Sequence, residues 1–211
     1  MRKFRNLKFW AVFILVGFSL VSTFTYADEL DDAISKPSSL YRGAIPFDRI
    51  SIDHFETAIL KAIEESTQKL RAIANSTEYP TFENTIEAIE FATEPLAQAL
   101  NIYYGYQSMM AEEKLDNISA KLDPLISRFS SSVYLDSALF QRVKAVYLSR
   151  SQLTLNPEQQ TLLENTYIEF DRNGDELSAA DKEKIIKIDE RLTSLKEAFK
   201  TNVNKSLQGF T

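Results

Sequence analysis

The sequence of 211 residues contains no cysteine, one histidine, 24 basic and 30 acidic residues, giving a formal charge of −6. These counts exclude disulfides, zinc ribbons and thiol catalysis, and one imidazole excludes the H-E-x-x-H zinc motif, which needs two histidines on one helix. The acidic balance argues against nucleic-acid binding, because phosphate recognition depends on a basic surface. With 44% hydrophobic residues, five glycines and six prolines, the composition is typical of a helical globular protein.

The first 27 residues have the layout of a secretory signal peptide. Four basic residues precede an apolar run over residues 9–24, and Ala27 supplies a small residue at the boundary. The run is shorter than the ~20 residues that span a bilayer, so cleavage is favoured over the alternative, an uncleaved membrane anchor. We therefore predict an exported, periplasmic protein with no stable membrane insertion after cleavage. Cleavage would remove four positive charges and no negative one, so the charge of −6 would become −10.

Residues 28–50 contain two prolines, a glycine and three serines, which is typical of irregular backbone and predicts an extended arm. Residues 51–211 are predicted to form a helical domain. Its first helix is expected to begin at Asp53, because Asp53 and Glu56 have the spacing of a capping box. An apolar face at three- and four-residue steps follows, and the polar residues 75–77 end the helix.

Two of the next three helices also show start signals. Thr81 is a cap for the second helix, which contains Pro95. A proline inside a helix removes a hydrogen bond, so we expect a kink or a restart there. The third helix contains Pro124, and Asp136 is the predicted cap of the fourth helix.

The last two helices complete the pattern. Asn156, Pro157 and Gln159 predict the start of the fifth helix, and Gly174 its end. The sixth helix begins at Ser178. Its apolar row approximates a heptad repeat and consists of Ile185, Ile188, Leu192, Leu195, Phe199 and Val203. Six amphipathic helices without a strand pattern predict an all-α fold, an antiparallel helical bundle or hairpin stack.

Residues 171–175 have the Asp-x-Asn-x-Asp spacing that opens a calcium-binding loop. The remainder of such a loop is lacking, because Glu176 stands where glycine is needed and Lys182 where a bidentate glutamate is needed. A hinge between the fifth and sixth helices accounts for the same residues and is favoured.

Three other features suggest sites only weakly. His54, the single histidine, lies near a helix start, where a structural role is favoured over pH sensing or weak metal binding. The aromatic run at residues 101–106 fits a helix core better than a binding platform. Glycosylation sequons occur at Asn75, Asn117 and Asn204. No catalytic, cofactor-binding or metal residue is assigned to this chain.

Five strings in chain order resemble one protein family. They are PTFENTI at 80–86, VYLDSALFQRVK at 133–144, LLENTY at 162–167, LSAADK at 177–182 and LTSL at 192–195. With PFDRI at 46–50, these family-like strings resemble the N-terminal region of the thimet-oligopeptidase-like zinc metallopeptidases. The bacterial peptidyl-dipeptidase branch is the better match and oligopeptidase A the second.

The resemblance implies that the helical region forms one wall of a deep channel that admits short unstructured peptides. It also implies that zinc and a general-base glutamate come from an H-E-x-x-H helix in a longer C-terminal half. Because that motif is absent from these 211 residues, we expect the chain alone to be non-catalytic and to hold no cofactor. Short peptides and a separate C-terminal catalytic half are the implied partners. The sequence would then be a split-gene half, a truncated product or part of a longer protein. The alternative is a free-standing periplasmic module for peptide binding or interaction, or a truncated remnant.

Overall fold

The computed structural model describes residues 34, 45, 47, 50–109, 112–172 and 177–208. These residues form no strand and six α-helices: α1 (Ile52–Ala74), α2 (Ala88–Met109), α3 (Glu113–Tyr134), α4 (Ser137–Leu148), α5 (Pro157–Arg172) and α6 (Ala179–Gln208). A π-helical turn, Phe82–Glu87, leads into α2, and a 3-10 turn, Arg150–Gln152, follows α4. The predicted all-α class is confirmed for this part of the chain. The predicted signal peptide, residues 1–27, lies outside the described residues.

Side-chain caps fix the starts of three helical segments. Thr81 Oγ1 accepts the backbone N–H of Asn84 at 3.1 Å, and Asn84 Oδ1 accepts the N–H of Thr81 at 2.8 Å. Asp136 Oδ1 accepts two N–H groups of the first turn of α4 at 2.8 and 3.0 Å. Asn156 and Gln159 pair reciprocally at 2.9 and 3.1 Å. The predicted caps at Thr81, Asp136 and Asn156 are therefore confirmed.

The start of α1 differs from the prediction. Ser51 is the N-cap residue, and its backbone N–H donates to His54 Nδ1 at 3.0 Å. Asp53 therefore already lies inside the helix, and the predicted capping box of Asp53 and Glu56 is wrong. The imidazole of His54 takes the place that a glutamate carboxylate has in the usual box.

Both α2 and α3 continue through a proline. Pro95 lies inside α2 and Pro124 inside α3, so of the two expectations for Pro95 a restart is wrong. Proline deprives the carbonyl four residues earlier of its partner. Those carbonyls belong to Phe91 and Ala120, which are exposed residues, so each loss falls on the solvent side of its helix.

Two hydrophobic clusters organise the helices. The first joins α1, α2 and α3, where the Phe55 ring packs edge-on against Tyr103 with 5.6 Å between centroids. The second joins the C-terminal end of α1 and the start of α2 to α4 and α5, where Phe140 and Phe170 stack at 6.1 Å. Phe129 packs against both clusters and so connects them.

Four residues of the predicted arm are described, and they lie against the first cluster. Ile34 and Ile50 are buried within it and Ile45 packs on it. The Phe47 ring stacks on Tyr106 with 6.0 Å between centroids. Ile34 has helical backbone, so the extended conformation is not confirmed.

The last helix packs differently from the other five. α6 begins after Ser178, whose hydroxyl oxygen accepts the N–H of Asp181 at 3.2 Å, as predicted. It lies along α3, and among the described residues its only buried apolar side chain is Ile186. Most of the predicted heptad-like row, from Ile188 to Val203, is exposed. The spacing correctly predicts a common face, and that face points away from the core.

Candidate functional site

Two of the family-like strings meet at one buried side chain, Arg142. Its guanidinium donates to Asn84 Oδ1 at 3.0 Å and to Thr85 Oγ1 at 3.2 Å. It also donates to the backbone carbonyls of Ser76 and Glu78 at 3.1 and 3.0 Å. The connection between α1 and α2 is thereby fastened to α4, and we call this arrangement the Arg142 junction.

The Arg142 junction is built to hold structure. Arg142 is 6% exposed, and within the described residues its four acceptors are neutral oxygens. Its Nε has no partner there. A buried cation that donates to several dipoles fixes geometry, because removing it breaks all four hydrogen bonds at once. It does not supply a nucleophile or a general base.

A third family-like string packs beside this junction. Leu163 of α5 is buried in the second cluster. The rings of Tyr167 and Tyr147 stack at 3.8 Å with 3° between their planes, and the Arg150 guanidinium lies 4.1 Å from the Tyr147 ring centre. The strings therefore specify the packing of α4, α5 and the start of α2.

A second polar cluster is buried between α2 and α3. The Tyr103 hydroxyl donates to Asp123 Oδ1 at 2.8 Å. Gln107 Nε2 donates to the Tyr103 oxygen at 2.8 Å and to Ser119 Oγ at 2.6 Å. The Ser119 hydroxyl donates to the carbonyl of Leu115 at 2.8 Å. Each polar group named here has at least one partner, as buried groups require.

The pKa values of the Asp123 carboxyl and the Tyr103 phenol are both shifted by their surroundings. Burial raises the pKa of the Asp123 carboxyl above its usual value, the Tyr103 hydrogen bond opposes the shift, and the charge of Glu197 on α6 adds to it. Burial likewise raises the pKa of the Tyr103 phenol. A cavity of about 270 Å³ lies nearby between α3 and α6, but neither Asp123 nor Tyr103 lines it. The pair therefore does not open into this cavity.

The structure settles some of the predicted candidates. His54 is a capping residue, which confirms the structural interpretation. In the aromatic run, Ile102, Tyr103 and Tyr106 are buried and Tyr104 is exposed, which confirms the core interpretation.

Other candidates are placed only in part. Residues 173–176 lie outside the described part of the chain, so the favoured hinge with its helix stop at Gly174 stays a prediction, and the disfavoured calcium loop is not tested either. The sequon residues Asn75, Asn117 and Asn204 are exposed. Over the described ranges, no group of three or more acidic or histidine side chains could hold a metal ion, and no helix has the length and apolar character needed to cross a membrane.

Sequence reasoning missed both buried polar clusters. Arg142 and Asp123 occupy positions where the helical period of α4 and α3 calls for an apolar residue. A charged residue within an apolar stripe is the signal that points to a buried polar contact, although it does not reveal the partner.

Comparison with known proteins extends the resemblance. No family model matches the chain. The dipeptidyl carboxypeptidase of Escherichia coli (strain K12) is 27% identical over 153 residues, which are 72% of this chain and 22% of that protein. The dipeptidyl carboxypeptidase of Salmonella typhimurium is 27% identical over 139 residues, 66% of this chain and 20% of the relative. Oligopeptidase A of E. coli is 23% identical over 167 residues, 79% of this chain and 24% of the relative.

The chain thus spans about a fifth to a quarter of the length of these relatives. The predicted order, dipeptidyl carboxypeptidase before oligopeptidase A, is confirmed by the identities. This chain is therefore similar to a part of the bacterial dipeptidyl carboxypeptidases and, at lower identity, to a part of oligopeptidase A.

Proposed function

We propose that this chain is the N-terminal, helical, channel-wall portion of an exported zinc metallopeptidase that releases dipeptides from short peptides. The observation that carries the proposal is the 27% identity to a dipeptidyl carboxypeptidase over 153 residues, 22% of that relative. The Arg142 junction supports it, because two of the strings that carry the resemblance are joined there by hydrogen bonds and thus build the helical scaffold.

The side chains of this chain do not fit a zinc site of their own. Catalytic zinc is held by three protein ligands, commonly including two or three histidines. This sequence has one histidine and no cysteine, and the Nδ1 atom of His54 accepts the backbone N–H of Ser51 at 3.0 Å. In the proposed enzyme, zinc and the catalytic glutamate belong to the remainder of the peptidase, and this chain contributes the wall that limits access to short peptides.

A chimera tests the proposal directly. Residues 45–208 of this chain would replace the similar segment of the E. coli dipeptidyl carboxypeptidase. We expect the chimera to release the C-terminal dipeptide from an N-blocked tripeptide. The matched control carries the same graft with Arg142→Met, which weakens the scaffold and lowers the yield of active enzyme. A folded chimera with no activity would contradict the proposal.

The chain by itself provides the complementary test. With zinc and the same blocked tripeptide, we expect the purified chain to release no dipeptide, since the ligands for a catalytic metal are lacking. Turnover that depends on added zinc would refute this. A melting temperature that rises with added peptide, as binding to the native state requires, would favour the alternative of a free-standing peptide-binding module.

A further inference from the structure

The outward face of α6 is an apolar row with no partner among the described residues. At about 100° per residue, Ile188, Leu195 and Phe199 fall within about 40° of one another, and Leu192 and Val203 widen the row to about 80°. Ile188 is 62% and Phe199 70% exposed. Contiguous exposed apolar side chains are a candidate interaction surface. We call these five residues the α6 row.

Acidic and basic side chains lie on different sides of α6 relative to the α6 row. Glu183 and Glu190 lie on the opposite side of the helix, where Arg128 of α3 pairs with them at 3.6 and 3.2 Å. Asp189 accepts a hydrogen bond from the Ser131 hydroxyl of α3 at 2.8 Å. The acidic residues of this part of α6 are therefore engaged by the chain itself.

The cations of α6 flank the α6 row. Lys187 and Arg191 border one side and Lys196 the other, and all three are exposed. Within the described part of the chain, Arg191 and Lys196 form no ion pair, and the one ion pair of Lys187 is with Glu183 of its own helix, at 3.8 Å. The surface is thus an apolar strip edged by positive charge on a protein whose formal charge is −6.

We infer that the α6 row docks an amphipathic helix with acidic flanks, supplied by the remainder of the peptidase; the inference rests on the proposed function. An apolar stripe on the partner would cover the row, and glutamates or aspartates beside that stripe would face Lys187, Arg191 and Lys196. The matched segments cover 20 to 24% of the length of the two dipeptidyl carboxypeptidases and of E. coli oligopeptidase A. In a peptidase of that length, most of the chain could supply the helix.

Charge disfavours two other occupants. Pairing the α6 row with a second copy of itself would set the cations of one copy against those of the other, which costs affinity. Binding to an anionic bilayer would satisfy these cations locally, but it would bring a protein of formal charge −6 against a negative surface. A helix with acidic flanks is the occupant that satisfies both the apolar strip and its positive edges.

The test uses the full chain and a designed peptide of about four heptads, with leucine at positions a and d and glutamate at e and g. A matched peptide carries lysine at e and g. By fluorescence anisotropy at low salt we expect the acidic peptide to bind at least about tenfold more tightly than the basic one, with a smaller ratio as salt screens the charges. Equal affinities, or no binding of the acidic peptide, would overturn the inference.

Variants of the chain test whether the acidic peptide binds at the α6 row. Leu192→Asp with Leu195→Asp should abolish binding while the far-ultraviolet circular dichroism stays unchanged, because both side chains are exposed. Leu148→Asp, at an exposed leucine at the end of α4, is the matched control and should bind as the parent does. Arg191→Glu with Lys196→Glu should reverse the preference between the two peptides. Binding that survives the double aspartate variant would refute the inference.

Two further measurements address the other occupants. A dimer in sedimentation that disappears with Leu192→Asp and Leu195→Asp, or adsorption to phosphatidylglycerol vesicles lost with the same changes, would overturn the proposed occupant. The chimera separates this inference from the proposed function. If the chimera is active and stays equally active with both aspartates, the docking is wrong and the function stands. A folded but inactive parent chimera counts against the proposed function and so against the peptidase as the source of the helix, whereas the peptide comparison tests by itself whether the α6 row binds an acidic helix.

Discussion

Replacing Arg142 by methionine should lower the free energy of unfolding by about 3 kcal/mol. Methionine keeps much of the apolar stem but removes all four hydrogen bonds. The carbonyls of Ser76 and Glu78 lie on a partly exposed connection and regain water, whereas Thr85 is buried. Asn84 Oδ1 keeps the N–H of Thr81 and the hydroxyl of Thr85 as donors, at 2.8 and 2.9 Å. The loss comes mainly from the two hydrogen bonds that the charged guanidinium donates to Asn84 and Thr85, and about 1.5 kcal/mol for each bond to a charged group gives this magnitude.

Urea unfolding followed by circular dichroism measures the loss, and a melting temperature lower by about 6 to 12 °C should accompany it. The exposed Arg71 is a matched control, because Arg71→Met should change the stability by less than about 0.5 kcal/mol. Combining Arg142→Met with Thr85→Val should give less than the sum of the single losses, since each removes one end of the same contact. A loss below about 1 kcal/mol, or strict additivity in this cycle, would refute the reasoning about the Arg142 junction.

Three other changes have defined expected outcomes. The free energy of unfolding of the Asp123→Asn variant, relative to that of the parent, should increase from pH 4 to pH 7. Burial raises the folded-state pKa of Asp123, so the parent's contribution from this group is complete below the unfolded pKa and is lost as pH rises through the folded pKa. Urea titrations at both pH values measure this, and a constant difference would contradict it. Ser51→Ala should cost about 1 kcal/mol in chemical denaturation, because the N-cap serine of α1 is lost; an unchanged midpoint would show that the cap is dispensable. Pro95→Ala should raise the melting temperature, because alanine restores a backbone donor opposite the carbonyl of Phe91, whereas a fall would mean that α2 depends on the proline.

Local contacts explain which parts of the fold the sequence predicts. The caps at Thr81 and Asn156 each join residues three positions apart, so both partners are visible in one short stretch of sequence. The sequence does not locate the start of α1, because serine at position 51 and aspartate at position 53 are both good caps, and only the fold shows that His54 completes the pair with Ser51.

The Arg142 junction shows why the sequence does not predict the two buried polar clusters. The acceptors of Arg142 lie 57 to 66 residues earlier in the chain, and no periodicity connects them to α4. The buried Asp123 has the same property, because its Tyr103 partner is 20 residues away on another helix. A single sequence reveals that a charge stands in an apolar stripe but gives no account of what neutralises or satisfies it.

In α6, the sequence predicts the apolar side of the helix correctly but does not predict which side packs on α3. Hydrophobic periodicity identifies the apolar side of a helix, which is usually the buried side. In α6 the opposite side packs on α3, through Ile186 and through ion pairs to Arg128. These ion pairs are substantially exposed, and exposed pairs contribute little to stability. The helix is therefore held with less apolar burial than α1 to α5, and opening it should require less free energy than unfolding either cluster. A partner that covers the α6 row would supply the missing burial, so docking and the ordering of α6 would reinforce one another.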